Sequence, residues 1–102
     1  MKLTVKDRII ISSIYPQESN VVTQILVKDI IKKVIFTQED ITEYGIETNA
    51  KGSVSWEKSE GKSIEFSEAE LDLLKTEVEK LDTSKKITQD NLDLCLKIKN
   101  ES

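Results

Sequence analysis

Hydrophobic residues recur every three or four positions in the first part of the chain, and this period predicts helices. Thr4 and Asp7 have the spacing of a capping box, so we expect a helix over residues 5–14 that ends before Pro16. The three successive isoleucines at 9–11 would also suit a strand, because β-branched side chains favour extended structure.

A second helix is predicted over residues 21–35, where Ser19 or Asn20 can accept hydrogen bonds from the free amides of its first turn. Aliphatic residues at three- and four-residue spacing form one stripe, and two more widen it: Val22, Ile25, Leu26, Ile30 and Val34, with Val27 and Ile31 beside them. We therefore expect this helix to be the central and most buried one, with Lys28 and Lys32 at its solvated edge.

The period changes from helical to alternating in the middle of the chain. Thr37 and Asp40 form a second capping box that opens a short helix to about Tyr44, and Gly45 ends it. Alternating apolar residues then predict a small antiparallel β-meander of two or three strands between residues 46 and 66. Its core face is expected to carry Ile46, Val54, Trp56, Ile64 and Phe66.

Helical spacing returns at a third capping box, formed by Ser67 and Glu70. The helix over residues 67–82 carries a heptad-like stripe of Leu71, Leu74, Val78 and Leu81. Thr88 or Asp90 can cap a last helix, although residues 92–98 also alternate strictly and would fit a strand; the caps favour the helix. The pattern as a whole predicts an α+β fold of four or five helices with one small meander.

A chain of 102 residues with 37% hydrophobic and 33% charged residues predicts one folded domain over residues 1–102. No apolar run approaches the roughly 18 residues that a membrane span needs, and the first residues mix acids and bases, unlike a signal peptide. We expect a cytoplasmic protein without membrane contact. The single cysteine suits a reducing compartment.

Charge is unevenly distributed along the chain. The formal net charge is −4, but residues 1–36 carry about +3 and the remainder about −7. An acidic body repels the phosphate backbone, which makes nucleic acid an unlikely partner. The order of helices before the meander could suit a winged-helix DNA regulator, yet residues 37–44, in the position of its recognition helix, carry three acids that would oppose docking.

The composition removes most routes to an active site. The chain has no His, one Cys and three Gly, so zinc sites, glycine-rich phosphate loops and a neutral-pH general base are not expected. Its acidic pairs fit helix caps and solvated surfaces, and Cys95 between Leu94 and Leu96 fits a buried, inert thiol. We therefore predict no enzymatic activity, no cofactor and no metal, while a small-molecule ligand such as a nucleotide stays open.

Several segments have a familiar order: residues 3–8, Pro16 followed by Asn20, residues 36–40, the strand with Trp56, and residues 79–88. In this order the chain resembles small proteins encoded by bacteriophages and prophages, most of which have no assigned activity. The resemblance covers most of the chain and rests on caps, turns and core positions, so it implies an origin in a phage or an integrated element and no functional residues.

These observations predict a non-enzymatic binding protein that contacts a host factor as an inhibitor, an anti-defence protein or an agent of host takeover. An acidic face carrying Glu70, Glu77 and Glu79 is the expected partner-binding surface, because complementary charge speeds association. The alternative is a virion structural or assembly protein that forms a homo-oligomer through the stripe of residues 71–81. A DNA-associated regulator is a further alternative.

Overall fold

A computed structural model of the chain describes residues 1–58 and 60–101. Within these residues the chain forms five α-helices and four short strands, which confirms the predicted α+β class. The elements are β1 (Lys2–Leu3), α1 (Val5–Ile10) with a 3-10 turn (Ile11–Ser13), α2 (Val21–Val34), α3 (Gln38–Tyr44), β2 (Glu47–Thr48), β3 (Val54–Ser55), β4 (Lys62–Ser63), α4 (Glu68–Thr83) and α5 (Gln89–Asn100).

The helices begin where the capping residues predict. The side chains of Thr4, Thr37, Ser67 and Thr88 each accept a hydrogen bond from the amide three residues later, and Asn20 does the same at the start of α2. The isoleucines at 9–11 are helical, because the capped first turn of α1 continues into the 3-10 turn. Residues 92–98 are helical for the same reason, since they follow the capping box of Thr88.

The strands pair differently from a simple meander. β2 and β3 form a hairpin closed by Asn49, whose side-chain oxygen accepts from the amides of Lys51 and Ser53. β4 instead pairs antiparallel with β1 at the start of the chain. Alternation of polar and apolar residues predicts an extended segment but does not show which other strand it pairs with. The pairing of β4 with β1 was therefore not predictable from the pattern.

One cluster of buried side chains forms the core, with residues from β1, from the 3-10 turn and the position after it, from α2, from the position after β4, and from α4 and α5. It consists of Leu3, Ile11, Ile14, Ile30, Val34, Ile64, Leu74, Val78, Leu94, Cys95 and Ile98. The heptad-like stripe of α4 therefore packs inside the protein: Leu74 and Val78 belong to the core, and Leu81 packs against it.

The predicted core face of the meander is only partly correct. Ile64 lies in the core and Phe66 packs against it, but Val54 is exposed, and Ile46 and Trp56 are half-buried outside the cluster. The expectation that Trp56 is a core residue is wrong. The residues of β2 and β3 are exposed, so alternation in this hairpin does not separate a buried face from a solvated one.

Three capping carboxylates also join elements that are distant in sequence. Asp7 of α1 accepts from Lys97 of α5 at 2.5 Å, and the guanidinium of Arg8 donates to Asp40 at the start of α3 at 2.9 Å. Arg8 further donates to the carbonyls of residues 34 and 35 and lies 4.5 Å from the centre of the Phe36 ring. The third carboxylate, Glu70 of α4, pairs with Lys33 of α2.

Candidate functional site on the exposed face of helix α2

Helix α2 buries one side only, and the rest of its surface faces solvent. The buried residues are Val27, Ile30 and Val34. The expectation that α2 is the central, most buried helix is therefore wrong, and so is the predicted stripe, because Val22 and Ile25 lie outside the buried side. At about 3.6 residues per turn, positions 21, 22 and 25 lie more than about 100° around the helix axis from the centre of the buried side formed by 27, 30 and 34, whereas Ile31 lies at the edge of that side.

The first two turns of α2 carry an exposed aliphatic patch. The relative exposure is 77% for Val21, 71% for Val22 and 56% for Ile25. Single exposed aliphatic residues are normal on protein surfaces, but adjacent ones on neighbouring turns mark a candidate binding surface. We call these three residues the α2 patch.

The segment that precedes the α2 patch is held by local hydrogen bonds. The Gln24 amide nitrogen donates to the Ser19 hydroxyl at 2.6 Å and to the Pro16 carbonyl at 3.2 Å. An open depression of about 310 Å³ lies at the patch, lined by Ser19, Asn20, Val21, Gln24, Ile25 and Lys28. These two hydrogen bonds fix the Gln24 side chain in one wall of the depression.

Two lysines continue the line of the α2 patch. Residues 21, 25, 28 and 32 follow one another at helical spacing, so Lys28 and Lys32 lie on the same exposed side as Val21 and Ile25. Among the described residues neither lysine forms an ion pair. At ~1.5 Å per residue the line is about 16 Å long.

Glu70, the first residue of the predicted acidic site, has a structural role. Its side chain is 3% exposed, accepts from the Ser67 amide at 2.7 Å and pairs with Lys33 of α2 at 2.5 Å. Burial opposes its ionisation, but the bonds from Lys33 and from the Ser67 amide outweigh burial and lower the pKa of Glu70. Glu70 therefore does not belong to an exposed acidic face.

The other two predicted site residues lie apart on α4. The side chain of Glu77 is 15% exposed and pairs with Lys80 at 3.2 Å, whereas Glu79 is exposed. The exposed acids of α4 at helical spacing are Glu68, Asp72, Glu79 and Asp82. Glu70 and Glu77 lie on or next to the side of α4 that is buried with Leu74, so they are not part of its exposed acidic face. A partner-binding role for the exposed acids of α4 stays a prediction.

Cys95 lies buried in the core next to the α4–α5 contact. Burial, together with the negative charge of Asp82, raises the pKa of its thiol. A buried thiol with a raised pKa is a poor nucleophile. Within residues 1–58 and 60–101, no group of three or more His, Cys, Asp or Glu side chains is arranged to hold a metal ion.

Hydrophobic periodicity did not predict the α2 patch, although the sequence contains a signal for it. The helix holds aliphatic residues at positions that span well over half of its circumference, which is more than one neighbouring layer of helices can cover. In the described parts of the chain, no helix has the length and apolar character needed to cross a membrane. The excess aliphatic residues of α2 remain exposed at positions 21, 22 and 25.

We compared the chain with models of known protein families, with curated proteins and with solved structures, and found no match.

Proposed function

We propose that this chain is a non-enzymatic binding protein that acts by protein–protein contact, and that the α2 patch is its main contact. The observation that carries the proposal is the exposure of Val21, Val22 and Ile25 on adjacent turns of one helix. Full burial of one such side chain contributes about 1.5–3 kcal/mol, so three of them supply a substantial part of a binding free energy.

The resemblance to small phage-encoded proteins supports a bacterial host factor as the partner class. A host-directed inhibitor or anti-defence protein needs a surface and no chemistry of its own. The sequence without His and the buried Cys95 support this non-enzymatic role. Such a protein would act in the host cytoplasm.

The geometry favours neither alternative hypothesis. The stripe of residues 71–81, which would join copies in a virion oligomer, packs largely within the core of a single chain. In a winged-helix regulator α3 would face DNA, but its exposed residues include Glu39 and Glu43. Two carboxylates facing phosphates would weaken docking.

The test compares binding by three versions of the purified chain. Val22→Ser combined with Ile25→Ser removes most of the patch, while Leu96→Ser on α5 removes an exposed aliphatic residue, 46% exposed, elsewhere on the molecule. We expect wild type and Leu96→Ser to retain the same protein from a bacterial lysate and the double variant to lose it. All three should melt at similar temperatures, since these substitutions are on the surface.

Equal retention of that protein by all three versions would show that the patch is not the contact. If the wild-type chain elutes only as a closed oligomer and retains nothing from the lysate, the virion hypothesis replaces this proposal.

A further inference from the structure

The exposed side of α2 changes chemistry along its length. The aliphatic patch occupies the first two turns, and Lys28 and Lys32 extend the same line toward the end of the helix. Lys33, the next lysine, already pairs with Glu70. Two cations without an ion pair among the described residues are therefore available beside an aliphatic anchor site.

The size of this line fits a short segment. It is about 16 Å long, which equals about three helical turns, and a helix is about 10 Å wide. A strip of these dimensions supplies only part of the surface that a stable interface between folded proteins needs, which is ~800 Å² of accessible surface per partner. A second copy of the chain would need much more surface than this line offers.

Resting on the proposed function, we infer that the α2 face binds one amphipathic segment of a partner protein, with aliphatic anchors followed by acidic residues. The anchors lie on Val21, Val22 and Ile25, and the acids face Lys28 and Lys32. Charge complementarity of this kind sets orientation and speeds association. The absence of aromatic residues from the line and the presence of Asp29 beside it disfavour an anionic membrane surface.

Asp29 gives the inference a test by gain of binding. It is exposed and lies one position beyond Lys28, on the flank of the line. Its charge repels an acidic segment, so Asp29→Asn should tighten binding of that segment. A gain of affinity cannot arise from a loss of folding.

The experiment begins with selection of random 14-residue peptides displayed on particles against the immobilised full chain. We expect the enriched peptides to carry two aliphatic residues three or four positions apart and at least two acids. Titrations of one enriched synthetic peptide then measure Kd for wild type and for variants, and amide chemical shifts locate the site.

The variants distinguish the effect on Kd of charge at the α2 face from the effect of the net charge of the protein. Lys28→Glu with Lys32→Glu should raise Kd about tenfold at low salt and less at high salt. Lys51→Glu with Lys86→Glu makes the same change in net charge at two exposed lysines off the α2 face and should change Kd less than about twofold. Asp29→Asn should lower Kd about twofold to threefold.

Several results would overturn the inference. These are enrichment of no peptide, enriched peptides without excess acid, and equal effects of the two double lysine variants. Binding to phosphatidylglycerol vesicles or to a DNA duplex in place of peptides would assign the face to another class of partner. A dimer that Val22→Ser with Ile25→Ser abolishes would assign it to a second copy.

The two proposals can fail separately. If Val22→Ser with Ile25→Ser loses the captured bacterial protein while Lys28→Glu with Lys32→Glu retains it fully, the α2 patch is the contact but its partner is not acidic.

Discussion

At the scale of single residues, the capping carboxylates have two roles in this protein. Asp7, Asp40 and Glu70 each accept hydrogen bonds from the backbone at the start of a helix, and each also pairs with a cation from another helix or from a distant strand. The sequence predicts the first role from local spacing. It cannot predict the second, because the spacing of a capping box does not show which distant cation the fold will bring to it.

Glu70 provides a direct test of this double role. Glu70→Gln keeps an oxygen for the cap but removes the charge that Lys33 faces, so we expect a loss of about 1–3 kcal/mol in the free energy of unfolding. Glu79→Gln, on the exposed side of the same helix, should change it by less than about 0.5 kcal/mol. Urea unfolding of both variants measures the difference, and equal losses would contradict the role assigned to Glu70.

Lys85 adopts a backbone conformation that favours glycine. Its φ is +57°, and the amides of Lys85 and Lys86 donate to the carbonyls of Asp82 and Leu81 to close α4. Lys85→Gly should therefore raise the free energy of unfolding by about 1 kcal/mol, because glycine has no Cβ to clash in this region.

Lys85→Ala serves as the control for the loss of charge. It keeps the Cβ and should give no such gain in thermal denaturation. A gain shared by both variants would mean that the lysine charge, and not the backbone, is the cause.

At the scale of secondary-structure elements, the ends of the helices were more predictable from the sequence than the contacts between elements. Thr37, Gly45 and Ser67 mark the ends of α3 and the start of α4 as expected, since capping depends on neighbouring residues. The pairing of β4 with β1 and the buried side of α2 depend on contacts between distant segments. Periodicity therefore identified these elements but assigned the wrong exposure to Val22, Ile25 and Trp56.

Side-chain size alone would suggest that Trp56→Ala costs more stability than Ile64→Ala. The half-buried position of Trp56 suggests the opposite. Ile64 is 5% exposed and belongs to the core, so Ile64→Ala should cost about 2–5 kcal/mol. Trp56→Ala removes a larger but half-buried side chain outside that core and should cost less, about 1–2 kcal/mol. Chemical denaturation of both variants tests this order; a larger loss for Trp56→Ala would restore Trp56 to a main packing role.

At the scale of the whole molecule, acid should destabilise the protein through its buried carboxylates. Burial opposes ionisation of Asp40, but hydrogen bonds from Thr37 and the interactions with Arg8 hold its pKa well below the usual 3.8. The pKa of Glu70 is lowered from 4.5. Below about pH 4 the unfolded chain therefore binds protons that the folded chain does not, and the stabilisation present at neutral pH is lost as pH falls.

Removing one of these carboxylates should weaken the dependence of stability on pH. Asp40→Asn loses about 3 kcal/mol at pH 7, because the guanidinium of Arg8 is left buried without its charged partner. Between about pH 5 and pH 3 the variant should lose less further stability than wild type does. Unfolding free energies at several pH values measure both slopes, and parallel slopes would exclude Asp40 as a source of acid sensitivity.

The ion pairs of the capping carboxylates also affect local unfolding of the protein. The first turn of an isolated helix frays easily, since its amides lack partners within the helix. In this chain, opening the first turn of α1 or α4 also breaks an ion pair with α5 or α2, so local opening loses a link between two helices. Amide hydrogens bonded to these caps should therefore exchange with solvent in the same slow events that unfold the entire protein.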